Sequence, residues 1–216
     1  MFKPLILVAV LFAAASSVWG QPSVVRPPEM SGPFQPVVGS GATYRIVTGQ
    51  NPEIQFSYAI VGKEGDAYWM EIRTGTPKGE MVMKQLMSVP SDGKPPRPTR
   101  MIMQVAGKPP MELPVSTIDA SAGRAQSQIA ANAHGLGERI GMETITVAAG
   151  SFECEHYKRE SNGKHSDLWV SSKVSPYGLV KMTSGETHLE LQKTLVNETS
   201  RITGEPMKLP SYPAGK

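Results

Sequence analysis

From residue 39 onward, apolar side chains recur at every second position in short runs, and clusters of turn-forming residues separate the runs. Ile54, Phe56, Tyr58 and Ile60 fall on one side of an extended chain, with Gln55 and Ser57 on the other. Leu189, Leu191 and Leu195 alternate in the same way with His188, Glu190, Gln192 and Thr194. A period of two is that of a strand buried on one face. The separators are "KEGD" at 63–66, "GTPKG" at 75–79, "PSDGKPP" at 90–96 and "AGKPP" at 106–110. They continue with "AAGS" at 148–151, "SNGK" at 161–164, "SPYG" at 175–178 and "SGE" at 184–186. Glycine, proline, asparagine and aspartate at such short intervals make antiparallel hairpins. The pattern therefore predicts a mainly β domain: one curved antiparallel sheet of roughly eight to eleven strands. Proline second and glycine fourth in Ser175–Pro176–Tyr177–Gly178 predict a type I turn there.

One segment departs from the period of two. Ser116 to Gly141 is rich in alanine, with glycines at 135 and 137, and reads as a helix of about 12–18 residues between Thr117 and Ala133. Its apolar side is thin (Ile118, Ala122, Ala125, Ile129 and Ala133), which places it over the concave face of the sheet; a long loop is the competing reading. The two ends of the chain carry no such periodicity. Residues 21–38 contain five prolines and read as an extended leader, and residues 204–216, with three prolines and two glycines, as a tail. The folded domain is then 39–203.

The first twenty residues set the compartment. Lys3 is followed by an uninterrupted apolar stretch from Leu5 to Ala15, then by small residues, with Val18 and Gly20 placed for a cut before Gln21. That is the layout of a secretory signal peptide, with a retained anchor as the alternative. The stretch is shorter than the 18 or so apolar residues of a membrane-spanning helix, and no later stretch approaches that length. Of the 22 Lys and Arg residues, 21 lie beyond the signal and face 19 Asp and Glu, a balance too even for a nucleic-acid binder.

Reactive side chains are few. Cys154 is the single cysteine, so no intrachain disulfide forms, and burial is the ordinary fate of a free cysteine. On a strand, Phe152, Cys154 and His156 share a side, opposite Glu153, Glu155 and Tyr157. Cysteine and histidine two apart on one strand sit about 7 Å from each other, too far for a nucleophile and its base. The chain holds no G-x-S-x-G, H-E-x-x-H or C-x-x-C pattern, so no catalytic residues are assigned and no cofactor is expected. Methionine is the abundant soft side chain. Met81, Met83 and Met87 lie on one strand side and Met101 and Met103 on another, in two M-x-M steps. Such side chains fill or line apolar cavities; with Cys154 and His156 they also raise copper(I) as an alternative, because thioether and thiolate ligands select it.

The stretch from "GMETITVAAGSFECEHYK" to "DLWVSSKVSPYGLVKM" resembles a pattern of uncharacterised exported bacterial proteins, with Ala148 where that pattern has proline. These in turn are similar to the lipoprotein-carrier-like (LolA/LolB-like) group. The resemblance covers about Gly141 to Leu195. It implies an open half-barrel whose concave apolar face holds acyl chains beneath a helix. No lipid-contacting residue of that group maps onto a numbered position here; the chain's own apolar and methionine pattern makes Phe56, Tyr58, Met70, Met81, Met83, Met101 and Met103 the groove-lining candidates, with a lipid or a lipoprotein as the partner. A ligand-free structural or interaction protein of the envelope is the alternative.

Overall fold

The computed structural model describes residues 33–76, 79–90, 96–114, 136–161 and 163–208. The signal peptide, most of the leader, the expected helix at 117–133 and the end of the tail lie outside these residues. Most described turns fall where the turn clusters are; the one between residues 48 and 54 lies outside them. The strands are β1 (Gly41–Thr48), β2 (Ile54–Glu64), β3 (Ala67–Thr76), β4 (Gly79–Ser88), β5 (Arg97–Val105) and β6 (Met111–Glu112). They continue with β7 (Glu138–Val147), β8 (Gly150–Ser161), β9 (Lys164–Val170), β10 (Leu179–Ser184), β11 (Thr187–Leu195) and β12 (Met207–Lys208). All twelve join one sheet in the order β12-β6-β5-β4-β3-β2-β1-β11-β10-β9-β8-β7. Pairing is antiparallel except between β12 and β6. The sheet stays open: β7 and β12 are its two edges. It curls at the β7 end, where β7 comes back against β10 and β11, three and four places away in the strand order. The mainly β, single-sheet expectation holds; the twelve described strands are one more than the expected eight to eleven, and β6 and β12 have only two residues each.

The hydrophobic core forms on one face. Register puts Ala42 opposite Tyr58 and Tyr44 opposite Phe56, so the apolar sides of β1 and β2 coincide. Tyr44, Leu189 and Leu191 line up across β1 and β11 and are fully buried. Leu168, Val170, Leu179 and Val180 extend the core towards the curled end, where Ile145, Val147, Ala149 and Phe152 pack against it. Phe34, ahead of β1, lies on Tyr177, with ring centroids 5.4 Å apart, and the Gln35 amide donates to the Pro176 carbonyl at 2.7 Å. Tyr177 meets Tyr58 edge-on at 5.6 Å, which closes an aromatic cluster with Tyr44 and Phe56. Edge-to-face and offset contacts of this kind add to the large area each ring buries.

Two local expectations are corrected. The Ser175–Pro176 peptide is cis, and the turn is closed by the Gly178 amide donating to the Val174 carbonyl at 2.7 Å, not by a four-residue type I turn. In β11 the pairing with β1 slips by one residue: Tyr44 faces Leu191 but Thr43 faces Lys193. The extra residue, Gln192, is a bulge, and it turns Leu195 to the side opposite Leu189 and Leu191, aligned with Gly41. Strand periodicity alone had placed all three leucines together. Gly41 itself allows a close approach, since a Cβ there would stand 2.1 Å from the Tyr58 carbonyl oxygen.

The other face of β3, β4 and β5 is crossed by the chain after β11. This strap starts where the Glu198 amide donates to the Gly39 carbonyl and ends where the Met207 amide donates to Pro110. Between these points it is fixed by a buried ion pair. Arg73 donates from Nε and Nη2 to Glu71 Oε2 at 3.1 and 3.0 Å, and both side chains are essentially inaccessible. The same Glu71 carboxylate accepts from the Ser200 hydroxyl and from the Arg201 amide. Arg73 also donates to Glu198 and to the Thr199 carbonyl. Lys84 Nζ donates to the Ser200 hydroxyl oxygen, and Gln104 exchanges bonds with Thr203. Val82, Leu86 and Ile102 on this face are buried as well, although they alternate away from the main core.

Candidate functional site

The seven groove-lining candidates come together. Phe56 and Tyr58 on β2, Met70 on β3, Met81 and Met83 on β4, and Met101 and Met103 on β5 all project from the face that carries the core. The register shows this directly: Phe56 pairs with Thr74 and Thr74 with Met81; Tyr58 pairs with Ile72 and Ile72 with Met83; Ile60 pairs with Met70 and Met70 with Gln85. Met83 then faces Met103, and Gln85 faces Met101. Burial grades along this face. Phe56, Tyr58 and Met70 are sealed in the core, Met101 is nearly so, and Met81, Met83 and Met103 are only half-buried. Tyr177 Oη donates to the Met70 sulfur at 3.5 Å, so the sealed end is also where the turn at 175–178 docks. Ile72, Met87 and Met111 belong to the same face but are not among the seven candidates, although Met87 shares the strand side of Met81 and Met83. Ile72 and Met87 were findable from their even spacing with neighbours, whereas Met111 joins only through the pairing of β5 with β6.

Two of the clefts among the described residues lie away from the methionine part of this face. One of about 300 Å³ is lined by Thr43, Glu53, Gln55, Ser57, Arg73 and Gly75. The other, of about 470 Å³, lies by Gly137, Glu138, Lys158, Arg159 and Glu160.

Cys154 and His156 prove to have separate surroundings. Cys154 is fully buried within the core cluster, and its thiol donates weakly to the Phe152 carbonyl at 3.6 Å. Burial, and secondarily the negative charge of Glu143, push the thiol up to about 11. At neutral pH it is a protonated, packed group and not a thiolate ligand or nucleophile. His156 is buried between two carboxylates. Its Nδ1 lies 2.7 Å from Glu143 Oε1 on β7, and its Nε2 lies 2.7 Å from Asp167 Oδ1 on β9. The ring stacks on Trp169 with centroids 4.6 Å apart, and Trp169 Nε1 donates to the second Glu143 oxygen at 3.0 Å. Lys181 Nζ sits 5.4 Å over the Trp169 ring. With both nitrogens engaged by carboxylates, His156 has no lone pair directed at a metal, and it ties β7, β8 and β9 together. The copper alternative built on Cys154 and His156 finds no shared site for the two. Among the described residues, no group of three His, Cys, Asp or Glu side chains is arranged to hold a metal ion.

The cluster carries a pH prediction. The indole N–H of Trp169, first, and then the bond to His156 hold the Glu143 carboxyl below its ordinary range. A group lowered on folding contributes stability that is complete above its unfolded value, about 4.3 for glutamate, and that fades as the pH falls through the folded value. Glu143→Gln is expected to lower the urea midpoint at about pH 7, and the gap to the parent is expected to shrink towards about pH 3. Urea titrations of the two proteins at both pH values test this; a gap that widens in acid contradicts it.

The fold and face together define an open, single-sheet β domain with a methionine-lined apolar surface. The chain belongs to the family described as "Domain of unknown function (DUF4412)", whose profile matches residues 51–216. Among curated proteins none matches. Among solved structures, one similar chain is described as a "putative lipoprotein" from Parabacteroides distasonis ATCC 8503. It shares 12% identity and a TM-score of 0.38, over 77% of this chain and 100% of that one. Another is described as a "putative exported protein with YmcC-like fold" from Bacteroides fragilis NCTC 9343. It shares 11% identity and a TM-score of 0.35, over 76% of this chain and 99% of that one. No helix among the described residues is long and apolar enough to cross a membrane.

Proposed function

We propose that this chain is an exported, non-catalytic binding protein of the cell envelope that holds an apolar ligand, a lipid or a lipoprotein acyl chain, on the methionine-rich part of its core face. The observation that carries the reading is the gradation on that face. The cross-strand row Tyr58, Ile72, Met83 and Met103 is apolar throughout, and it leads from the sealed aromatic cluster to the half-buried Met83 and Met103. Unbranched thioether chains adapt to ligands of differing shape, as promiscuous apolar surfaces require. Each methylene sequestered against them would contribute about 0.8 kcal/mol. The leader peptide read from residues 1–20 supports an envelope location.

Native mass spectrometry of the chain mixed with palmitate tests the reading. A palmitate adduct is expected, and Met83→Glu with Met103→Glu is expected to weaken it at least tenfold by placing charges on the apolar surface. A clean apo mass with excess palmitate and with phospholipid would overturn the proposal in favour of a ligand-free structural role.

A further inference from the structure

The register aligns methionines that are far apart in sequence. Met83 on β4 faces Met103 on β5. Met103 in turn faces Met111 on β6, and Met111 faces Met207 on β12. Four consecutive strands therefore place a methionine at the same level of one face, with Met81 and Met101 on the flanking rungs. The row emerges from the core, since Met83, Met103 and Met111 are half-buried and Met207 is 52% exposed. The sequence shows only the two M-x-M steps; it does not show that Met111 and Met207 complete the row. An apolar surface needs only hydrophobic side chains of suitable volume, and leucine or isoleucine would serve. Four thioethers in adjacent rungs supply something more, a set of soft donors.

We propose that Met83, Met103 and Met111, with Met207 at the open edge, form a thioether site for copper(I). Adjacent strands lie about 4.8 Å apart, and directly opposed Cβ atoms about 5 Å apart. Methionine has three rotatable bonds, so the sulfurs of the two outer rungs reach an ion held above the middle one. Met83 Sδ already accepts a bond from the Gln85 amide at 3.3 Å, which shows that its sulfur is accessible to a polar group. Thioether sulfur selects copper(I) over harder divalent ions. It is also neutral at all working pH, so binding releases no proton, in contrast to cysteine or histidine ligation. The site holds the ion without changing its oxidation state. The idea is independent of acyl binding, although the two share Met83 and Met103.

The test is an anaerobic titration of the full chain with copper(I) in competition with the chromogenic chelator bicinchoninate. One ion per chain is expected, with no zinc(II) uptake in a parallel titration. The triple variant Met83→Leu, Met103→Leu, Met111→Leu conserves volume and apolarity, and is expected to keep its thermal midpoint while losing copper(I) affinity at least tenfold. Affinity is expected to stay level between about pH 7 and pH 5. Failure of the wild-type chain to compete, full affinity in the triple variant, or an affinity that falls steeply in acid would each overturn the site.

Discussion

Replacing Arg73 with leucine is expected to lower the free energy of unfolding by about 3–5 kcal/mol, the cost of leaving a buried charge without its partner. Glu71 has no accessible side-chain surface, and Arg73 next to it has almost none. Water cannot take over when the guanidinium is removed, and the carboxylate keeps only the Ser200 hydroxyl and the Arg201 amide. The same change frees Glu198 and the Thr199 carbonyl, so the strap loses its central attachment to β3. Arg73→Lys keeps the charge but cannot reproduce the forked donation to Glu71, Glu198 and Thr199 together, and is expected to recover only part of the loss. The double replacement of Glu71 and Arg73 by leucine removes both charges and is expected to be less damaging than Arg73→Leu alone. Urea titrations of the four proteins measure this. A cost below about 1 kcal/mol, the level of an exposed pair, would mean that the strap does not shield the carboxylate.

The second large effect is expected at Tyr44. Its ring stacks on Phe56 at 5.6 Å and meets Tyr58 edge-on at 6.3 Å, and its hydroxyl donates to the Leu179 carbonyl at 3.0 Å. It thus joins the β1–β2 half of the core to the strand that follows the cis-proline turn. Tyr44→Ala is expected to cost about 3–5 kcal/mol, because it opens a cavity where no exposed side chain can collapse inward. Tyr44→Phe isolates the hydroxyl. It leaves the buried Leu179 carbonyl short of one partner and is expected to cost about 1–3 kcal/mol. Burial, and secondarily the neighbouring Tyr177, raise the Tyr44 hydroxyl well above the ordinary tyrosine range. Chemical denaturation separates the two contributions. Equal losses for alanine and phenylalanine would show that the bond, and not the packing, holds this junction.

Much of the sheet is legible along the chain because its determinants are local. Ile54, Phe56, Tyr58 and Ile60 alternate, and they do share the core face. Gly65, Gly150, Gly163 and Gly185 sit with positive φ in hairpin turns, which glycine alone enters without strain. The candidate surface was partly legible for the same reason, since Met81 and Met83, and Met101 and Met103, are two apart and must share a side of their own strands. That both sides are the same face needed the β4–β5 register. The polar clusters were not legible at all. Glu71 meets Ser200 and Arg201 across more than a hundred residues, and Glu143 and Asp167 reach His156 from different strands.

By itself, then, the chain determined its strands, its turns and the side of each strand that is apolar, because those follow from a period of two and from backbone preferences within a few residues. Only the tertiary structure decided how strands are aligned. One bulge at Gln192 reverses the side on which Leu195 lies, and one short parallel pairing brings Met207 beside Met111. A register shift of one residue moves every later side chain to the opposite face, and nothing within a single strand records it.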